Sequence, residues 1–182
     1  MPPRFDMLLV LDLDETLLFA SEEPLARPPA FIAEPFHVYK RPGVDRFLAT
    51  CCEWFRVGVW TSGSESYAKM ITNHLFPDPG RLAFVWANDR CTWKHDVEAQ
   101  SGEWIKDLKK LKKKGYALEK ILFVDDTPEK MVRNFGNHIA VRAFDGDPDD
   151  TELDALLVYL ETLGPLENVR TVEKRNWRRG VK

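Results

Sequence analysis

Cysteine is scarce in this chain: three in 182 residues, two of them neighbours, Cys51 and Cys52. That number cannot build a disulfide framework, so the thiols read as free and the expected compartment is a reducing one, the cytoplasm. Histidine is thin as well. His37, His74, His95 and His138 stand apart without ligand spacing, and "CTWKHD" (91–96) does not resemble a zinc site, which excludes a nitrogen- and sulfur-based metal centre. Long apolar runs are missing. "MPPRFDMLLVLDLDE" breaks into acids after a few apolar residues, which argues against a signal peptide or a membrane span. There is no internal repeat, and no biased tract longer than the lysine cluster near 110. The net charge is only −3, but it is unevenly spread: residues 170–182 carry six basic residues against Glu173 alone.

What is present suits one compact domain. A 44% hydrophobic and 30% charged composition is that of a folded chain, not a disordered one. Strand-like runs recur at 7–12, 55–61, 82–87, 120–126 and 138–144. Helix-like stretches lie between or after them at 43–54, 64–76, 101–115, 127–136 and 150–164, several with a serine, acidic or proline start and a glycine stop. This alternation predicts an α/β fold, a doubly wound parallel sheet covered on both faces. Residues 20–41, rich in proline, interrupt it as a small insertion with one or two short strands ("FIAE", "FHVYK"). The expected organisation is a single domain over 1–164 and a basic C-terminal tail, 165–182, without periodicity.

The informative segment is "LLVLDLDETLLFA" (8–20), a buried-strand pattern that runs into Asp12, Asp14 and Glu15. Burying unpaired carboxylates is costly, so their place at a strand end calls for a reason. In open parallel sheets ligands bind beyond the carboxyl ends of the strands. A second acidic pair, Asp125 and Asp126, follows "KILFV" in the matching position. Acids converging on one crevice repel each other unless a cation joins them, and an all-oxygen set favours Mg²⁺. "WTSGSES" (60–66) adds hydroxyls, Thr61 and Ser62, at a helix start suited to an anion, and Lys106 is a candidate positive charge.

"DLDET" resembles the DxDx(T/V) motif of haloacid dehalogenase superfamily phosphatases. The order DLDETL, RPGV, WTSG, "IKDL" and VDDTPEKM resembles their small C-terminal-domain phosphatase, or NLI-interacting-factor-like, branch over roughly residues 6–163. The resemblance implies a Rossmann-like sheet without a large cap domain and a Mg²⁺-dependent phosphomonoesterase working through an aspartyl-phosphate. It makes Asp12 the nucleophile and Asp14 the general acid and base. Asp12, the Asp14 carbonyl, Asp125 and Asp126 would hold the metal, and Thr61, Ser62 and Lys106 the phosphoryl group.

The implied partner is a phosphorylated protein carrying phosphoserine or phosphothreonine. The basic tail leaves a nucleic-acid end open as an alternative, beside a small metabolite or a non-catalytic phospho-binding role. No membrane partner is expected. The chain departs from the branch at Asn88, where an arginine is expected two positions before Arg90, and at Ser64, which replaces an apolar pocket residue beside the matching Tyr67. Trp93 and Trp104 flank the expected opening.

Overall fold

The computed structural model describes residues 2–96 and 101–181. In chain order its strands and helices are β1 (Leu8–Leu11), β2 (Leu18–Ser21), β3 (Phe31–Ala33), β4 (Phe36–Lys40), α1 (Val44–Trp54), β5 (Arg56–Trp60) and α2 (Glu65–Leu75). There follow β6 (Val85–Trp86), β7 (Thr92–Asp96), β8 (Ser101–Ile105), α3 (Lys109–Lys112), β9 (Ile121–Asp125), β10 (His138–Ala140) and α4 (Glu152–Leu163).

Five strands form a parallel sheet in the order β10-β9-β1-β5-β6. Two-residue alternation splits it cleanly. Leu9, Leu11, Val57, Val59, Leu122 and Val124 point into one core with α1, α2 and α4, while Leu8, Val10, Trp60, Ile121 and Phe123 point into a second with Leu108, Leu111 and Met131. Each helix earns its place by periodicity: Val44, Phe47, Leu48 and Cys51 bury one stripe of α1, and Leu153, Leu156, Leu160 and Leu163 one stripe of α4. Gly43 opens α1 at φ +77°, a conformation glycine adopts without strain. The insertion is a three-stranded antiparallel sheet, β2-β4-β3.

The parallel α/β architecture matches the expectation, but the two layers are unequal, because two predicted helices are not helices. Residues 101–115 divide into β8, paired antiparallel with β7, and the single turn of α3. Trp104, Ile105, Leu108 and Leu111 mimic a helical stripe. Cross-strand partners decide otherwise: Trp93 meets Trp104 at 5.0 Å, Lys94 pairs with Glu103, and the Trp93 indole lies where a Cβ on residue 102 would stand, a place only Gly102 leaves free. Residues 127–136 hold a short 3₁₀ turn, Pro128–Met131, and the start of another, Phe135–Asn137, instead of a helix. The Lys130 carbonyl accepts from Lys106 N at 2.8 Å, so it is spent on a distant segment instead of continuing a helix.

The basic segment after α4 packs back on the domain. Trp177 is buried, stacks on Tyr159 at 5.5 Å and donates from Nε1 to Ala140 O at 2.8 Å. The Arg178 guanidinium pairs with Glu152, and Lys174 Nζ donates to the carbonyls of Gly136, Val169 and Val172. Among the described residues no helix is long and apolar enough to cross a membrane.

Candidate active site

β1 lies between β5 and β9, so the chain leaves it in opposite directions across the sheet, and a crevice opens where the three carboxyl ends meet. Asp12 follows β1, Thr61 follows β5, and Asp125 closes β9. Asp12 N donates to Val124 O at 3.0 Å, which ties the first acidic turn to the second.

Lys106 Nζ stands between Asp12 Oδ1 and Asp125 Oδ2, 2.6 Å from each, and all three side chains are buried. The residue predicted from the sequence is in place, but it follows β8 instead of sitting on a helix. Burial alone would lower its pKa; the Asp12 and Asp125 carboxylates overcome that and hold the ammonium above the ordinary lysine range. Burial raises Asp12 above the usual carboxylate range against the pull of Lys106, with Asp125 adding to the rise. One oxygen each of Asp12, Asp125 and Asp126 lies within 4.8 Å of the others, an oxygen-only set that could hold a divalent cation. Thr16 Oγ1 reaches Asp12 at 3.4 Å and Asp126 at 3.3 Å. Asp125 also takes the Thr127 N–H at 2.8 Å.

Asp14 sits at the crevice side of this cluster. Its Oδ1 accepts from the Tyr67 hydroxyl at 2.5 Å and its Oδ2 from Thr61 Oγ1 at 3.4 Å. Burial raises its pKa, and the Tyr67 hydrogen bond works against that rise. Thr61 Oγ1 in turn accepts from Gly63 N at 3.0 Å. Ser62 Oγ is buried without a hydrogen-bond partner among the described residues. Asn88, where the family resemblance expects an arginine, is exposed, and Arg90 two positions later is exposed and paired with Asp89 over the face of Trp86.

Sequence reasoning missed three contributors. Thr16 bridges the two acidic turns. Tyr67, noticed only as a pocket residue, holds Asp14. Arg41, within the quoted RPGV motif, is fully buried: it clasps Asp150 with two 2.8 Å bonds and donates to the carbonyls of Thr16 and Glu15. Phe144 N donates to the Glu15 carbonyl at 2.7 Å. Glu15 has φ +60°, a strained value for a residue with a side chain, and these donors fix the turn that aims Asp12 and Asp14.

Comparison with known proteins gives the family. Residues 7–170 match the family described as NLI interacting factor-like phosphatase. CTD nuclear envelope phosphatase 1 of Xenopus laevis is 31% identical over 184 residues, covering 93% of this chain and 72% of the relative. A probable C-terminal domain small phosphatase of Dictyostelium discoideum is 34% identical over 177 residues, covering 92% of this chain and 55% of that protein.

Among solved structures, Fcp1, an essential RNA polymerase II CTD phosphatase, superposes with a TM-score of 0.58 at 18% identity over 87% of this chain and 48% of its own. A haloacid dehalogenase-like hydrolase from Xanthomonas campestris superposes at 0.54 with 9% identity, covering 88% of this chain and 97% of the other, and the two structures share the fold. A family match across nearly the whole domain, placed on a crevice of paired strand-end carboxylates, leads to one conclusion: this chain belongs to the NLI interacting factor-like phosphatases.

Proposed function

We propose that the protein hydrolyses phosphoserine or phosphothreonine in a protein substrate, with Asp12 as nucleophile. The observation that carries this reading is the buried contact of Asp12 with Lys106, two residues from an acid held separately by Tyr67 and Thr61. A carboxylate oxygen of Asp12 attacks phosphorus, an aspartyl-phosphate forms, and the bond from phosphorus to the ester oxygen breaks. Asp14, raised by burial, gives its proton to the departing alkoxide. It then takes a proton from the water that attacks the aspartyl-phosphate, releasing inorganic phosphate and restoring Asp12. Thr61 and Lys106 face the developing charge with a hydroxyl and an ammonium already in place.

Asp12, Asp125 and Asp126, with the Asp14 carbonyl, would hold Mg²⁺. One oxygen from each of the three side chains lies within 4.8 Å of the others, an all-oxygen set of the kind a hard divalent ion takes. Bound there, the ion supplies charge neutralisation between an anionic nucleophile and an anionic ester. The insertion, only a small sheet, leaves the crevice open to a macromolecular substrate, consistent with the protein targets in the relatives' names.

The nucleic-acid reading rested on the basic tail, and Lys174, Arg175 and Arg178 are there committed to carbonyls, Glu173 and Glu152. A non-catalytic module needs no complete acidic set, and none of the four acids is missing. The three free cysteines suit a reducing compartment such as the cytoplasm.

The test is turnover of p-nitrophenyl phosphate and of phosphoserine peptides with Mg²⁺ and with EDTA. Turnover requires Mg²⁺ and vanishes in Asp12→Asn. Full activity in that variant, or in EDTA, defeats the reading.

A further inference from the structure

Beside the crevice, along the outer edge of β10, lies a second concavity that the chemistry above does not use. Its volume is about 700 Å³, and Pro128, Phe135, Ala140 and Val172 give it apolar walls, with Arg170, Glu173, Lys174 and Arg175 among the rest of its lining. Phe135 is 80% exposed, the most exposed large hydrophobic side chain among the described residues. With the apolar walls beside it, the ring offers a surface against which an apolar side chain can pack.

The groove is also electrostatically unfinished. Lys174 spends its ammonium on three carbonyls, and Arg175 is paired with Glu173. Arg170 is exposed and has no ion pair among the described residues, although it lines the groove beside Gly136. The surface therefore combines one uncommitted guanidinium with an apolar wall. That pairing complements a peptide carrying a carboxylate next to an apolar side chain.

One end of the groove, at Pro128 and Ala140, borders the second acidic turn. Pro128 lies two residues beyond Asp126, and Ala140 sits opposite Asp125 in the β9–β10 register. His138, on the groove wall, contacts the Asp125 carbonyl at 2.9 Å. β10 is two strands from β1, about 10 Å across the sheet, and Phe135 and Arg170 lie level with the start of β9, about 13 Å further along the strands, so about five extended residues span the gap.

Resting on the protein-phosphatase reading above, we propose that this groove docks an acidic segment of the substrate about five residues from the phosphoresidue. An apolar side chain lies against Phe135 and a carboxylate meets Arg170. The substrates singled out are phosphoserine or phosphothreonine sites with acidic, partly apolar flanks.

The experiment compares kcat and KM for phosphoserine peptides with two glutamates and a leucine placed on either side, matched peptides with glutamine or lysine in place of glutamate, and p-nitrophenyl phosphate. The variants are Arg170→Glu, Arg170→Lys and Phe135→Ser, all at exposed positions. The wild type prefers a glutamate peptide on one flank. Arg170→Glu raises KM for it roughly 5- to 10-fold and favours the lysine peptide instead, while Arg170→Lys keeps the wild-type order. Phe135→Ser weakens every leucine-bearing peptide, and kcat/KM for p-nitrophenyl phosphate is unchanged in all three.

Equal use of glutamate, glutamine and lysine peptides by the wild type overturns the proposal, as does an Arg170→Glu effect of equal size on every substrate. Loss of the phosphatase reading itself shows separately, as wild-type enzyme that turns over neither the peptides nor p-nitrophenyl phosphate.

Discussion

Replacing Lys106 by methionine keeps most of the side-chain volume and removes the charge that joins Asp12 to Asp125. In the structure that ammonium is 2.6 Å from each carboxylate, with all three side chains shielded from water. Breaking a buried pair from one side costs about 3–5 kcal/mol, because a charge is left uncompensated. Here two carboxylates lose their partner, which favours the upper part of that range. At about 2–4 °C per kcal/mol for a domain of this size, the melting temperature in EDTA falls by on the order of 10 °C at pH 7.5.

The loss shrinks on acidification. Asp12 already has a raised pKa, and losing Lys106 raises it further, so the folded variant binds a proton more readily than the unfolded chain and gains stability as pH falls through that raised value. Mg²⁺ restores part of the deficit by binding only the folded form. The assay is urea unfolding with EDTA and with Mg²⁺, at pH 7.5 and 5.5. A variant within 1 kcal/mol of wild type in EDTA at pH 7.5, or one that becomes relatively weaker at pH 5.5, would refute the electrostatic account.

Three other outcomes are expected. Tyr67→Phe removes the hydroxyl that orients Asp14; kcat for p-nitrophenyl phosphate drops about 10-fold, a fraction of what a general acid–base group supplies, with KM and melting temperature little changed. Asp150 is held below the ordinary carboxylate range, because Arg41 and the Glu152 N–H outweigh the effect of burial. Its stabilising contribution is present above the unfolded-state pKa and lost as pH falls through the folded-state value, so Asp150→Asn flattens the decline in urea midpoint below about pH 4. Trp177→Ala costs about 3–5 kcal/mol in the same unfolding assay, from a lost buried indole and its bond to Ala140.

The strand ends that carry Asp12, Asp125 and Thr61 were legible because a buried parallel strand is a short apolar run, and an acid at its end marks the edge of the core. α1 and α4 were legible for a similar reason, since their stripes of leucine, valine and phenylalanine are set locally. The hairpin of β7 and β8 was not. "EWIKDLKKL" satisfies helical spacing, and what makes its start a strand is Trp93, lying over Gly102 from nine residues earlier. Lys106 was therefore identified by motif while its element was misread. Arg41 and Thr16 escaped notice because their partners, Asp150 and Asp126, are more than a hundred residues away in sequence, and no local pattern announces such a pair. Tyr67 was visible, but its bond to Asp14 depends on how α2 sits over the first acidic turn.

The way the chain after α4 folds over Ala140 has a consequence for self-association. β10 is the outermost strand on its side, and a bare rim of backbone amides and carbonyls there would recruit another chain into the sheet. Trp177 and Arg178 occupy the Ala140 carbonyl, so the segment that carries them acts as a sealing strip for this part of the sheet, and peeling it away would expose a sticky margin before it harmed any catalytic group.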